Sequence, residues 1–539
     1  MANTEEHQNG GYALLGDEEG GMSERSGLLN GAVKLVAAEV SDDAVLGAFP
    51  GSIKYLIWNE FCERFCFYGM KTILALYLVQ HLLLSENEST ELVHLFIVAC
   101  YATPIIGAFL SDCVWGKYRT ILYLSVIYCL GNWVMALSAL PEPDPSTRTT
   151  LFWSTSAALG LIAFGTGGIK PCGAAFGGDQ IQYTLPDGPL KERIQRRFFS
   201  MYYLSVNVGS FFSTVAGPYF RIHYSYSFAF AVPAVFMMIA LLIFWFGRKT
   251  YYHQPPQGNV FAEVGSVVVD SVKFRDRRGE GSHWLDGAKV KHSSQIVDDV
   301  KGLVRVLVLL LPTPVFWALF DQQSSKWVFQ AETLDGSVPW FFNITIQPDQ
   351  MQALNPVFIA AMIPLFDLLI YPFFEKRGFS LRPISRMVTG MILCALAFLL
   401  SGLLQQAIDA QGSSNQPLSM LWQIPQYVIM TAGEIMFSIT GLEFAYSQAP
   451  DSMKAVVQAA WLFTVSAGNF VTVALVAIIG NSLSKANEFY VFAAGCFSAM
   501  LCLLWLGASF QYRSVNPPST EPSLETLITH AADDRVYVG

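Results

Sequence analysis

Trp58-Asn59-Glu60-Phe61-Cys62-Glu63-Arg64-Phe65-Cys66-Phe67-Tyr68-Gly69-Met70-Lys71 lies inside an apolar run from about Ile53 to Leu84. That run is long enough to cross a bilayer, yet it carries Glu60, Glu63, Arg64 and Lys71. On a helix, at ~100° per residue, Glu60, Glu63, Arg64, Phe67, Tyr68 and Lys71 fall on one stripe roughly 140° wide. Ile57, Phe65, Leu74 and Leu76 occupy the other face. Charge within a membrane helix is expensive, so it faces a bundle interior or a wet cavity. A purely structural ion-pair network is the bland alternative to a working site.

The chain around this stretch has 539 residues, 53% of them hydrophobic and 14% charged, where soluble domains carry about 25% charge. Apolar runs of ~20 residues recur, which makes the fold class all-α, a polytopic helical membrane protein. Twelve spans are predicted at roughly 53–82, 92–111, 119–139, 151–171, 198–219, 226–247, 302–321, 351–374, 384–405, 420–441, 454–480 and 488–510. They divide the chain into a cytosolic tail (1–50), a six-helix bundle (51–247), a cytosolic linker (248–301), a second six-helix bundle (302–511) and a final tail (512–539). Basic residues follow span 2 (Lys117, Arg119), span 4 (Lys191, Arg193, Arg196, Arg197) and span 8 (Lys376, Arg377, Arg382, Arg386). Residues 85–91 and 406–419 have none. Positive charge stays inside, so both termini are expected in the cytosol. Sequons at Asn87 and Asn343 then fall on the outer side as candidate glycosylation sites.

The composition excludes several classes. No basic cluster is interleaved with aromatics, so no nucleic-acid partner is expected. The nine cysteines lie in or beside apolar spans, and Cys62 and Cys66 have no His or further Cys nearby to complete a zinc set, so no metal is expected. No nucleophile–base pair stands at helical spacing, which argues against an enzyme. The first tail holds Glu24-Arg25-Ser26-Gly27-Leu28-Leu29, with the form of an acidic di-leucine signal (Glu24, Leu28, Leu29) that sorting adaptors would read. A plasma-membrane location is expected, with the endolysosomal membrane as the alternative, and a monomer as the working form.

Other polar groups stand at membrane depth. Span 2 carries His94 in its outer third and Tyr101 seven residues on, on the same face. Histidine titrates in the range a proton carrier needs. Span 4 ends in Gly165-Thr166-Gly167-Gly168-Ile169-Lys170-Pro171, read as close helix packing with a kink that exposes Lys170. Tyr203 and Asn207 share a face of span 5, and Trp317 and Asp321 a face of span 7. Asn355 and Asp367 lie on span 8, Glu434 on span 10, Trp461 and Asn469 on span 11. Arg305 and Asp367 share an inner depth and could pair as a latch; His94 and Asp321 share an outer depth and could couple. Bases in one half (Arg64, Lys170) and an acid in the other (Glu434) would suit a short zwitterion. Tyrosines and asparagines would serve its amide, and Trp317 and Trp461 would leave its side chains loosely held.

Glu60-x-x-Glu63-Arg64-Phe65-x-x-Tyr68-Gly69 resembles the signature of the proton-coupled oligopeptide transporter family, a branch of the major facilitator superfamily. Residues 165–172, Phe176-Gly-Gly-Asp-Gln180, Phe316-Trp-Ala-Leu-Phe-Asp321-Gln-Gln and 441–450 look like the animal di- and tripeptide carriers. The resemblance covers about residues 50–511. It implies a proton-coupled symporter of small peptides in the lipid bilayer, working by alternating access, with protons as coupling ion and no other cofactor. It implies proton coupling at Glu60, Glu63, Arg64, His94 and Asp321, and gating at Arg305 and Asp367. The substrate positions it implies are Arg64, Tyr68, Tyr101, Lys170, Tyr203, Asn207, Trp317, Asn355, Glu434 and Trp461. Two departures stand out: Phe67 replaces a tyrosine of the animal motif, and residues 406–419 leave no room for the large outer domain of the animal carriers. A lysosomal histidine or peptide exporter, or a peptide sensor with little transport, is the alternative reading.

Overall fold

The computed structural model describes residues 49–510 and 512, apart from 141–143, 145, 257, 259, 278–282, 340–343, 379–381, 412–416 and the side chains of 375, 451 and 455. Glu24, Leu28, Leu29 and the sequon asparagine Asn343 lie outside the described residues.

Twelve long helices run α1 Gly51–Gln80, α2 Glu86–Val114, α3 Gly116–Ser138, α4 Arg148–Gln182, α5 Pro189–His223 and α6 Tyr226–Lys249. After the linker come α7 (Ser294–Leu310 with Pro314–Glu332), α8 Pro348–Phe374, α9 Pro383–Gln411, α10 Met420–Gln448, α11 Val456–Ile479 and α12 Lys485–Ala508. Among the described residues, nine of these are single helices apolar and long enough to span a bilayer, and α7, bent by 43°, makes a tenth. The other two, α1 and α5, have the length; at ~1.5 Å per residue the 30-residue α1 reaches ~45 Å. Their polar and charged side chains set them apart, and some of these, Lys71 of α1 and Asn207 of α5 among them, line the site. The bend in α7 falls at Pro312 and Pro314, which interrupt the backbone ladder.

Helix starts obey local chemistry. Ser85 and Glu88 form a reciprocal capping box at α2, and Ser225, Ser293 and Ser484 accept backbone N–H groups at α6, α7 and α12. Contrary to the span predicted at 151–171, α4 continues through Pro171 to Gln182, since a spanning helix tolerates an internal proline where neighbours re-satisfy the backbone. Single π-turns occur at Leu110–Val114, Phe366–Ile370 and Ile435–Ile439, in α2, α8 and α10. Each inserts a residue and offsets the register of the side chains around it. The third begins immediately after Glu434.

The first bundle packs α1 against α5 and α6, and α3 against α4 and α6. The second packs α9 against α10 and α12, and α7 against α11. The halves meet where α2 lies along α11 and α5 meets the first turns of α8. Glycines set the closest crossings: a Cβ at Gly107 of α2 would lie 2.3 Å from the Gly168 carbonyl of α4, and one at Gly390 of α9 would lie 2.7 Å from the Gly433 carbonyl of α10. Between the two bundles the linker forms a helix, Val260–Lys273, packed on the short turn Trp284–Val290. Lys301 of α7 and Lys289 hold that turn through Asp286 at 2.7 and 2.8 Å. These hydrogen bonds keep the Asp286 carboxyl well below the usual carboxylate range. Their stabilisation is therefore full at neutral pH and is lost only as pH falls through that lowered value.

The α2–α4 crossing has no slack. Gly107→Ala is expected to cost ~1–3 kcal/mol by overpacking and to lower the melting temperature of the purified protein. Gly160→Ala, where nothing lies within 4 Å of the added methyl, should leave it unchanged or raised.

Candidate functional site

The charged stripe of α1 faces inward. Arg64 Nε lies 2.7 Å from Glu60 Oε1 and 2.8 Å from Glu63 Oε2, and both carboxylates are buried. Thr166 of α4 donates to the other Glu63 oxygen at 3.2 Å. Two carboxylates share one guanidinium here, so its positive charge is fully engaged. Lys170 makes no hydrogen bond to this network, although its charge lies close enough to act on Glu63. Its Nζ has no hydrogen-bond partner and lies 3.4 Å above the Tyr101 ring centroid and 4.9 Å from that of Phe67. The aromatic faces hold the cation instead. Phe67, the departure noted in the sequence, is thus one wall of the lysine's cage.

Two helical turns beyond Arg64, Lys71 Nζ crosses the seam to Asp321 Oδ1 of α7 at 3.1 Å. Asn469 Nδ2 donates to Asp321 Oδ2 at 2.8 Å, while Asn469 Oδ1 lies 2.6 Å from His94 Nδ1. His94 and Asp321 therefore couple through the Asn469 amide rather than directly. The acceptor oxygen of Asn469 requires the proton on Nδ1, which leaves Nε2 to accept from Ser325 Oγ at 2.9 Å in the neutral ring.

The outer ends are stitched together further. Arg221 of α5 grips Asp349 of α8 through two bonds of 3.1 Å. Gln80 reaches Glu332 at 2.8 Å, and Lys485 reaches Glu86 at 2.7 Å. Lys326 binds Glu488 at 2.9 Å and Asn87 at 2.8 Å, and Asn87 Nδ2 donates to Asn481 at 3.0 Å. Both ends of the Asn87 amide are thus engaged in the seam, and its Ser89 is fully buried, bonded to the Ala75 carbonyl. The expected glycan does not fit a closed outer face, so this sequon is corrected to a seam element. The bonds between the halves named above lie at mid-depth or at the outer ends. On the inner side a cleft of about 390 Å³ separates Pro104, Ala108 and Pro171 from Gln458, Ala459 and Leu462. The molecule is closed outside and parted inside.

Between these levels lies a cavity of about 300 Å³, shared by both halves, at the small end of the ~300–1,000 Å³ typical of small-molecule sites. Seven expected substrate residues line it: Tyr68, Tyr101, Tyr203, Asn207, Trp317, Asn355 and Glu434. Asn355 Nδ2 donates to Glu434 Oε2 at 2.7 Å, fixing that carboxylate. Three expected residues do not line it. Arg64 is tied to its glutamates, Lys170 stands behind Tyr101, and Trp461 is buried against Gly441, edge-on to Trp317 at 6.1 Å. The cation that lines the cavity is Lys71, with Thr72, Ser210, Gln323 and Gln352 as further polar groups. Lys71 lay on the charged stripe but received no role; its position on the stripe was the available signal.

The expected inner latch is also absent. Arg305 and Asp367 are both exposed and no ion pair joins them. Arg305 lies on the side of α7 toward α12 and the linker, while Asp367 lies in the π-turn of α8. Equal depth brought them no closer.

The POT family model (PTR2) matches residues 118–492. Solute carrier family 15 member 2 of Mus musculus is 30% identical, covering 90% of this chain and 92% of that protein. Peptide transporter family 1 of Drosophila melanogaster is 32% identical, covering 86% and 88%. The mouse alignment runs over 689 positions against 539 residues here, so at least 150 of them (689 less 539) have no counterpart in this chain. Among solved structures, an autoinhibited POT family peptide transporter superposes with a TM-score of 0.76 at 31% identity, covering 87% of this chain and 99% of that one. The POT family transporter PepTSo gives 0.75 at 30%, covering 86% and 98%.

The seam network makes a checkable statement. Lys326→Met strands the buried Glu488 carboxylate, which costs on the order of 3–5 kcal/mol, and should lower the melting temperature. Adding Glu488→Gln removes the stranded charge and should restore most of the loss.

Proposed function

The chain belongs to the POT family of peptide transporters, a multi-pass membrane protein, and from that premise we propose that it imports di- and tripeptides with protons by alternating access. The observation that carries this is the cavity shared by the halves, with the Glu434–Asn355 pair from α10 and α8 and Lys71 and the Lys170 cage from α1 and α4. A zwitterion one peptide long meets an acid for its amine and a base for its carboxylate. Trp317 and Phe320 supply apolar walls that need not discriminate side chains. The named relatives are transporters rather than enzymes, which agrees with a site that binds and releases without chemistry.

Protons are the proposed coupling ion. A proton on Asp321 would release Lys71 and loosen the outer seam, with His94 and Asn469 as its relay from outside. A proton at the Glu60–Glu63–Arg64 cluster would free cationic charge toward the peptide carboxylate. Each charge that crosses the field yields ~2.3 kcal/mol per 100 mV, and the halves rock around a fixed mid-membrane site. The closed outer face and open inner cleft would be the state that delivers substrate to the cytosol. We place the protein at the plasma membrane, with small peptides as its partners.

In proteoliposomes with an imposed inward proton gradient, the protein should accumulate labelled dipeptide, and free histidine should compete poorly. Glu63→Gln should equilibrate dipeptide without accumulating it; full accumulation by that variant would overturn the coupling assignment. Glu434→Gln should raise KM roughly tenfold, the loss of ~1.4 kcal/mol of amine binding. Asn469→Leu should flatten the pH dependence of uptake while leaving dipeptide binding at fixed pH intact.

A further inference from the structure

A second recess, about 500 Å³, lies outside the transport path. Its walls are His283 and Trp284 of the linker, Arg305 and Val308 of α7, and Leu506 and Phe510 at the end of α12. Basic inner loops place these ends at the cytoplasmic face, so the recess opens at the headgroup level of the inner leaflet. Toward the bilayer centre its flanks continue into Leu311 and into Trp505, each 70% exposed, as side chains bathed in acyl tails are. Trp284, 41% exposed, sits on the cytosolic rim, an amphipathic ring at an interface.

The recess holds two donors without acceptors. Arg305 is charged at any physiological pH and, among the described residues, makes no ion pair or hydrogen bond. His283 Nδ1 accepts the Leu285 N–H at 3.2 Å, so the neutral ring keeps its hydrogen on Nε2. Burial, with Lys301 and Arg305 nearby, holds this histidine below the ordinary imidazole range. The third basic group, Lys301, is engaged with Asp286 and Asp298, both at 2.7 Å. Arg305, Lys301 and Phe510 also border an adjoining hollow that holds Asp298 and Asp299, where an anion would be repelled. An anion reaching Arg305 is therefore favoured from the Trp284 side, where no carboxylate lines the recess.

We propose that this recess binds an anionic phospholipid of the cytoplasmic leaflet, its phosphate on Arg305 and His283 and its acyl chains along Val308 and Leu506. Basic pockets beside membrane helices on the cytoplasmic side take headgroups in this way. The bound lipid ties the linker to α7 and α12 of the second bundle. Arg305 thereby gains a role that Asp367 does not share.

Native mass spectrometry of the full-length, delipidated protein tests this with dioleoyl phosphatidylglycerol against dioleoyl phosphatidylcholine. The wild type should retain the anionic lipid about fivefold better, the ratio for one arginine at a membrane surface. Arg305→Gln should erase that preference, Arg305→Lys should keep most of it, and His283→Gln should reduce it. Should Arg305→Gln fail to fold, His283→Gln and Arg305→Lys still decide. Equal retention of the two lipids by the wild type would overturn the proposal. So would a preference that survives both Arg305→Gln and His283→Gln. Displacement of the lipid by millimolar inorganic phosphate would assign the site to a soluble anion instead. Peptide uptake enters none of these readouts, so they stand apart from the transport assignment.

Discussion

An ionised side chain at bilayer depth costs at least ~2.5–3.5 kcal/mol unless something answers its charge, and the architecture here is built around supplying those answers. On α1 alone, Arg64 is answered by Glu60 and Glu63, and Lys71 by Asp321. The first pairing stays within one helix. The second crosses from one bundle to the other. A charge that can be satisfied only by the opposite half converts solvation energy into a force between the halves, and that is what makes a pair of bundles a gate.

The distribution of such pairings explains the conformation. Lys71–Asp321, Arg221–Asp349 and Lys326–Asn87 all lie toward the outer face, and His94 is drawn to Asn469 at the same level. The inner side holds a cleft. The α2–α4 and α9–α10 crossings, where glycine lies on backbone, lie within single bundles. Each bundle is therefore held at its closest crossings by packing that leaves no room for an added atom, while the seam is held by polar bonds that a proton or a peptide can replace. Rigid halves joined by exchangeable bonds are the mechanical requirement for rocking.

The readings that failed share a cause. Lys170 was expected at the substrate as a base for its carboxylate, yet two aromatic rings hold it behind Tyr101. Arg305 and Asp367 were paired because they share a depth, yet they stand on different sides of the second bundle. Asn87 was read as a glycan acceptor because it heads a sequon, yet its amide is a crossing point of the seam. Depth, charge and motif are one-dimensional properties. Which azimuth of a helix faces which neighbour depends on bundle packing, and a line of residues does not carry it.

The chain by itself determined the number of helices, the division into two bundles and seven of the residues that line the cavity. Lipid imposes those through hydropathy and helical period, each of which is local along the chain. Tertiary structure alone decided that Asn469 stands between His94 and Asp321, that Lys71 rather than Lys170 faces the cavity, and that the outer seam is the closed one. Those are contacts between helices hundreds of residues apart, set by which side chains meet when two bundles pack, and no periodicity within either bundle encodes the other.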